Sequence, residues 1–112
     1  MKGNVITIPY QIQMADSFFK RLKGLMFQKD PIKNEGLWIV PCNAVHMFFM
    51  NFPIDIVLLN EQNEVVKVYH SLRPWKITKP ESAAHSTLEL PAGAINTLGI
   101  CIGNKIHCSV TI

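Results

Sequence analysis

The chain has 112 residues, and its Lys and Arg residues outnumber its Asp and Glu residues by 11 to 8. This length predicts one domain, residues 1–112, large enough to bury a core. Apolar residues make up 48% of the chain and charged residues 17%, which excludes a disordered tail. No apolar run reaches the roughly 18 residues that a membrane span needs. The small positive charge is far from that of a dedicated nucleic-acid binder, so we predict no nucleic-acid partner.

The amino terminus and the cysteines indicate the cellular compartment. The first 14 residues, MKGNVITIPYQIQM, lack the apolar core and the cleavage site of a secretion signal. A longer precursor that is cleaved before Met1 stays an open alternative. The chain has three cysteines, Cys42, Cys101 and Cys108. Because an odd number cannot all pair within the chain, they do not indicate a disulfide framework. We therefore expect a cytoplasmic protein with reduced thiols.

The first predicted elements are a short strand and a short helix. Residues 5–8 are rich in β-branched side chains and predict a strand. From Met14 to Met26, apolar residues recur every three or four positions, which predicts an amphipathic helix. Gly24 can end this helix in a left-handed conformation. Residues 29–36 then predict a loop, because they contain Asp30-Pro31 and close at a glycine.

Short β-rich runs follow, at residues 37–40, 44–50, 54–60 and 65–70. The third run is apolar on both faces except at Asp55, so we predict a central strand that is covered on both sides. Residues 61–64 predict the turn of a hairpin.

The last third of the chain begins with a long loop at residues 71–85. Residues 87–90 predict a strand and residues 94–98 a single helical turn. Residues 105–112 alternate between apolar and polar side chains, which predicts a strand with one buried face. About seven short strands and one short N-terminal helix predict a mainly β domain, either a β-sandwich or a partly open barrel.

Six segments of the chain resemble a known family. They are RLKGLMF (21–27), VHMFFMNFPIDIVLLN (45–60), VVKV (65–68), Leu72 with Pro74-Trp75, LELPAG (88–93) and GICIGNKI (99–106). In this order they resemble the domain of unknown function 192 family, also called uncharacterised ACR, over residues 17–107. The resemblance implies a jelly-roll-like β-sandwich, and it implies no established reaction.

Cys42, His46, Met50 and Asp55 combine side chains that occur at metal sites. In an extended strand, however, Cys42 and His46 lie about 13 Å apart. Two ligands of one ion each lie within roughly 2.3 Å of it, and a Cys-His nucleophile pair needs a hydrogen bond. We therefore predict no metal site, no cofactor and no Cys42 nucleophile.

His46 and Asp55 interrupt apolar runs, and a buried charge needs a partner. A three-residue connection between their two runs places them on opposite faces of the sheet, whereas a four-residue connection places them on the same face. Two interpretations stay open. Each group satisfies nearby backbone groups, or together they form a polar spot in an apolar pocket.

Arg73, Trp75 and Lys76 place an aromatic side chain between two cations. This combination is typical of surfaces that bind by ring stacking and charge. The alternative is that Trp75 packs on the sheet and the cations are only solvated.

Arg21 and Glu89 are charged residues beside apolar stretches, and we predict that they form a structural ion pair. Anion binding by Arg21 is the alternative interpretation.

The chain contains no catalytic motif, so the leading hypothesis is a module that binds a small ligand or a protein. The predicted site residues are His46, Met50, Asp55, Arg73, Trp75 and Lys76. One alternative is a small hydrolase or isomerase in which His46 is the general base and Asp55 orients it. Another is an interaction domain with no small-molecule site, which would expose a large apolar patch.

Overall fold

Six β-strands and one short α-helix make up the regular structure of residues 3–15 and 25–111, the part of the chain that the computed structural model describes. In chain order these elements are β1 (Val5–Ala15), β2 (Glu35–Ile39), β3 (Ile54–Leu59), β4 (Val65–Leu72), β5 (Ser86–Pro91), α1 (Ala94–Leu98) and β6 (Lys105–Thr111). No helix in this part of the chain is long and apolar enough to cross a membrane.

The strands form one mixed sheet in the order β4-β3-β5-β2-β1-β6. β1 runs parallel to β2 and β6, whereas the pairs β2–β5, β3–β5 and β3–β4 are antiparallel. All six residues of β3 are buried, which confirms the covered central strand predicted from the sequence. The two edge strands approach each other where Glu64 and Lys105 form an isolated bridge, but the sheet does not close into a barrel.

Apolar side chains form two clusters, and alternate residues of β3 contribute to each because successive side chains of a strand point to opposite faces. The helix-side cluster contains Ile8, Ile12, Val57, Leu59, Val65, Leu88, Leu90, Ala94, Ile95, Ile100 and Ile106. The loop-side cluster contains Ile32, Val45, Met47, Met50, Phe52, Ile54, Ile56 and Leu58. The sheet therefore separates the residues around α1 from the connection between β2 and β3.

Several predicted elements are confirmed. β3 and β4 form a hairpin, and in its turn the Oδ1 atom of Asn60 accepts hydrogen bonds from the backbone N–H groups of Gln62 and Glu64, both at 2.9 Å. β5 and α1 lie at the predicted places. In β6, Ile106 is buried while His107 and Ser109 are exposed, as the alternation predicts.

The prediction of a strand at residues 44–50 is wrong. There, His46 forms only an isolated bridge with Ile77, and Phe48 and Phe49 form a turn. Both phenylalanines are exposed while Met47 is buried. Two adjacent exposed aromatic side chains break the alternation of a strand, so the question of register between this run and β3 does not arise.

The N-terminal region also differs from the prediction. β1 extends to Ala15, so Met14 and Ala15 belong to a strand and do not begin a helix. Residues 16–24, which include most of the predicted helix, lie outside the described residues. The described part of the chain is mainly β, with six strands where about seven were expected for the whole chain, and the jelly-roll or sandwich arrangement is not confirmed.

Candidate functional site

Two loops are held together by backbone hydrogen bonds at one end of the loop-side cluster. The N–H of Met47 donates to the carbonyl of Lys76 at 2.6 Å, and the N–H of Trp75 donates back to the carbonyl of Met47 at 2.7 Å. The N–H of Thr78 donates to the carbonyl of Val45 at 2.9 Å. These bonds fix residues 45–50 against residues 75–78.

A third loop joins them through its own backbone. The N–H of Phe27 donates to the carbonyl of Phe49 at 2.9 Å, and the side-chain amide of Asn51 donates to the carbonyl of Gln28 at 2.8 Å. The turns at residues 25–27, 48–49 and 74–75 are thus brought together.

The tips of these turns carry a continuous row of rings, which we call the aromatic ridge: Phe27, Phe49, Trp75, Phe48 and His46. Successive centroids lie 5.0 Å, 5.0 Å, 5.8 Å and 5.1 Å apart, within the range of direct ring contact. Phe27 is 61% exposed and Trp75 59%. The other two phenylalanines of the ridge, Phe48 and Phe49, are also exposed. Their apolar surface therefore faces solvent.

Three residues of the aromatic ridge have strained backbone conformations. φ is +68° at Phe27, +60° at Phe49 and +69° at Trp75. Bulky side chains rarely occupy this left-handed region, and each such residue costs about 1–3 kcal/mol and persists only where the surrounding structure imposes it. Here the hydrogen bonds between the three loops impose it. Strain of this kind is concentrated at functional sites.

Positive charge flanks the aromatic ridge. Arg73, Lys76 and Lys79 are exposed, and residues 71–80 contain these three cations and no Asp or Glu. In the third loop, Lys29 and Asp30 offset each other. The surface thus combines exposed rings with an excess of cations.

The predicted site residues fall into two groups. Arg73, Trp75 and Lys76 are exposed beside the ridge, and the half-buried His46 ends it, with its Nδ1 accepting a hydrogen bond from the N–H of Phe48 at 3.3 Å. Met50 is buried in the loop-side cluster, beneath the same loops.

Asp55 belongs to a different environment. It is fully buried, and its two carboxylate oxygens accept hydrogen bonds from the backbone N–H groups of Ser71 and Ile95, each at 2.8 Å. Ile95 lies in α1, on the opposite side of the sheet from the loop-side cluster. Within the described residues no hydrogen bond joins Asp55 to His46, and both oxygens of Asp55 satisfy backbone groups.

Glu89 is a second buried carboxyl. It lies in β5 and pairs with Ile56 of β3, so the two side chains point to the same face of the sheet, that of the loop-side cluster. Only 6% of Glu89 is exposed, and its Oε1 has no hydrogen-bond partner in the described part of the chain. Burial raises the pKa of Glu89 from 4.5 to about 7. Its predicted partner, Arg21, lies outside the described residues.

The cysteines do not form a site with the histidines. The Sγ of Cys42 donates to the carbonyl of Ala44 at 2.9 Å, and burial raises the pKa of the Cys108 thiol to about 11. Cys101 is exposed. Among residues 3–15 and 25–111, no three His, Cys, Asp or Glu side chains are grouped so that they could hold a metal ion.

Two cavities of the molecule contain none of the rings of the ridge. One, of about 180 Å³, is lined by residues that include Gln11, Gln13 and Leu37, and also by Leu25 and Gln28 from the loop that carries Phe27. The other, of about 490 Å³, is lined by residues that include Val65 and Ile102. Neither includes His46 or Asp55, so neither is the predicted pocket.

Comparison with known proteins gives the family. Residues 2–108 match the model of the family described as Uncharacterized ACR, the domain of unknown function 192. This chain belongs to that family. The resemblance stated from the six sequence segments is thereby confirmed.

Relatives that are similar over most of the chain are named UPF0127 proteins. A UPF0127 protein of Thermococcus sibiricus is 37% identical over 115 residues, covering 97% of this chain and 71% of that protein. A UPF0127 protein of Pyrococcus furiosus is 34% identical, covering 95% and 91% respectively.

Two solved structures share the fold of this family member. A protein of unknown function from Novosphingobium aromaticivorans has a TM-score of 0.74 at 24% identity, covering 84% of this chain and 71% of that chain. A structure from Sinorhizobium meliloti has a TM-score of 0.74 at 20% identity, covering 82% and 76%. At these identities the likeness concerns the fold alone.

The sequence analysis did not predict Phe27, Phe48, Phe49 and Ile77 as site residues. It assigned Phe48 and Phe49 to a strand because the run is apolar. One signal was available, since two adjacent phenylalanines cannot both face one side of a strand. Phe27 carries no comparable signal, because its contacts with Phe49 join two segments that are distant in the sequence.

Proposed function

We propose that this protein is a binding module whose binding surface is the aromatic ridge with its flanking cations. The observation that carries this proposal is the row of contacting rings that is exposed at the tips of three hydrogen-bonded loops. Covering exposed aromatic surface of this kind with a partner removes it from water and makes the free energy of binding more favourable. The hydrogen bonds between the three loops hold the rings in place before binding, so little order has to be gained on binding.

The residues have distinct roles in this proposal. Trp75 and Phe49 make the central contacts, Arg73 and Lys76 bind negative groups, and His46 contacts the partner at one end of the ridge. Met50 supports the turn from below, and its N–H donates to the carbonyl of Met47 at 3.3 Å. Asp55 has a structural role on the other side of the sheet.

The buried position of Asp55 favours this function over the alternative enzyme. A general base needs its orienting carboxylate within hydrogen-bond distance, and both oxygens of Asp55 are already bonded to Ser71 and Ile95. The ridge is an open surface, which suits a large partner better than it suits a small ligand that has to be enclosed in a pocket.

Fluorescence of Trp75 tests the proposal. In a Trp38→Phe background Trp75 is the only tryptophan, and its emission is followed during titration with ATP, a ten-residue oligothymidylate, an oligosaccharide, poly-glutamate and phospholipid vesicles. We expect at least one of these to shift the emission saturably. Phe49→Gly should weaken that binding about tenfold or more, since central aromatic contacts dominate binding surfaces.

Phe49→Gly is a suitable variant because glycine accepts a φ of +60° without strain, so we expect the protein to stay folded. Ile102→Ala is the matched control, since Ile102 is 60% exposed and lies away from the ridge. The proposal is wrong if no probe changes the emission, or if both variants weaken binding equally.

A further inference from the structure

We infer that the partner of the aromatic ridge is the surface of an anionic lipid bilayer. This inference rests on the proposed function and names its partner. Three observations support it: the contact between the rings, the sign of the flanking charge, and the position of the rings at loop tips.

The contact between the rings excludes insertion of a flat ligand. Successive centroids of the ridge lie 5.0–5.8 Å apart, so each ring already contacts the next. A base or sugar ring has no slot between Phe49 and Trp75 or between Phe48 and Trp75. The ridge instead offers one continuous apolar surface, which Ile77, 66% exposed, extends.

The charge beside the ridge selects an anionic partner. Arg73, Lys76 and Lys79 are exposed on the loop that carries Trp75. A two-fold dimer through this surface would bring two copies of the same positively charged patch together, and like charges across an interface are unfavourable. Anionic headgroups would instead neutralise them, while the long side chains keep their charged ends at the level of the headgroups.

The position of the rings suits the interface of a bilayer. Phe27, Phe48, Phe49 and Trp75 lie in three different turns that meet at one place. Tryptophan and phenylalanine with nearby Lys or Arg are the residues of segments that lie in the boundary between headgroups and acyl chains. Such tips can enter this boundary while the sheet stays outside it.

Co-sedimentation with vesicles tests the inference. The full chain is mixed with vesicles of phosphatidylcholine alone, and with vesicles in which three lipids in ten are phosphatidylglycerol, at low and high salt. We expect binding to the anionic vesicles, weakened by salt. Binding to phosphatidylcholine alone should be at least about 25-fold weaker, because Arg73 and Lys76 each contribute about fivefold near an anionic surface.

Variants assign the effect to the ridge. Arg73→Gln with Lys76→Gln should weaken binding to anionic vesicles about 25-fold, that is, fivefold for each cation. Trp75→Gly, which fits the φ of +69°, should weaken binding about tenfold to both vesicle types. Lys105→Gln and Ile102→Ala are matched controls, exposed and away from the ridge, and should bind as the unmodified chain does.

The inference is wrong if the protein does not sediment with anionic vesicles, or if Lys105→Gln weakens binding as much as the loss of Arg73 and Lys76. If the vesicles fail while poly-glutamate or the oligothymidylate shifts the emission of Trp75, the ridge is a binding surface for another anionic partner. If no probe shifts that emission, both the lipid inference and the proposed function are wrong.

Discussion

Asp55→Ala is expected to lower the free energy of unfolding by about 3–5 kcal/mol, because each hydrogen bond to a charged group contributes about 1.5–3 kcal/mol. The carboxylate of Asp55 is fully buried and joins β3 to the end of β4 and to the first turn of α1, through the N–H groups of Ser71 and Ile95. Alanine leaves both N–H groups without an acceptor. Urea unfolding followed by far-ultraviolet circular dichroism measures the change.

Asp55→Asn is the graded comparison, since its amide keeps one oxygen acceptor and should lose about half as much stability. Asp30→Ala is the surface control, because Asp30 is exposed, and it should change stability by less than about 0.5 kcal/mol. A loss below about 1 kcal/mol for Asp55→Ala would contradict the structural role assigned to this carboxylate.

Glu89 is expected to make the protein less stable as the pH rises. Its pKa is about 7 in the folded protein, against 4.5 for an exposed glutamate, because burial disfavours the charged form. The folded state therefore binds the proton more tightly than the unfolded state between these values. The stability from this group is full below pH 4.5 and is lost as the pH rises through 7, by about 3 kcal/mol.

Glu89→Gln removes the ionisable group while keeping its size. At pH 8 the variant should therefore be more stable than the unmodified chain by up to about 3 kcal/mol, and at pH 4.5 the two should be similar. Glu61→Gln, at an exposed position, is the matched control and should not change the pH dependence. A loss of stability at pH 8 in Glu89→Gln would instead indicate a buried cation beside Glu89, and Arg21 is the candidate that the sequence offers.

Patterns with a physical period made much of the fold predictable. The run at residues 54–60, apolar on both faces except at Asp55, predicted a covered strand, and β3 is buried throughout. The alternation after Asn104 predicted β6, and the polar residues after Asn60 predicted the hairpin turn. In the two strands the sequence pattern reflects which side chains are buried, and in the turn it reflects exposure to solvent.

The order of strands in the sheet could not be predicted in this way. Parallel pairing of β1 with both β2 and β6 depends on packing between distant parts of the chain. The extension of β1 to Ala15 also overrides the helical spacing that begins at Met14. The local spacing of apolar residues predicted a helix there. It carries no information about the pairing of Ala15 with Ile39, 24 residues away in the sequence, which keeps Ala15 in a strand.

The candidate site was predictable where charged and aromatic side chains are neighbours in the sequence, and at His46, which interrupts an apolar run. Arg73, Trp75 and Lys76 stood out for the first of these reasons. Phe49 did not, because an apolar side chain usually indicates the core. A positive φ at phenylalanine has no sequence signal, whereas at glycine it is readily expected.

The most direct test of the account is a map of where the protein contacts its partner. A ¹H–¹⁵N spectrum of the labelled chain is recorded during titration with bicelles that contain phosphatidylglycerol. We predict that the largest shift changes occur at the amides of residues 25–28, 46–50 and 73–77, with little change at Ile102. Changes concentrated around Gln11, Gln13 and Leu37, or the absence of localised changes, would contradict the assignment of the aromatic ridge as the binding surface.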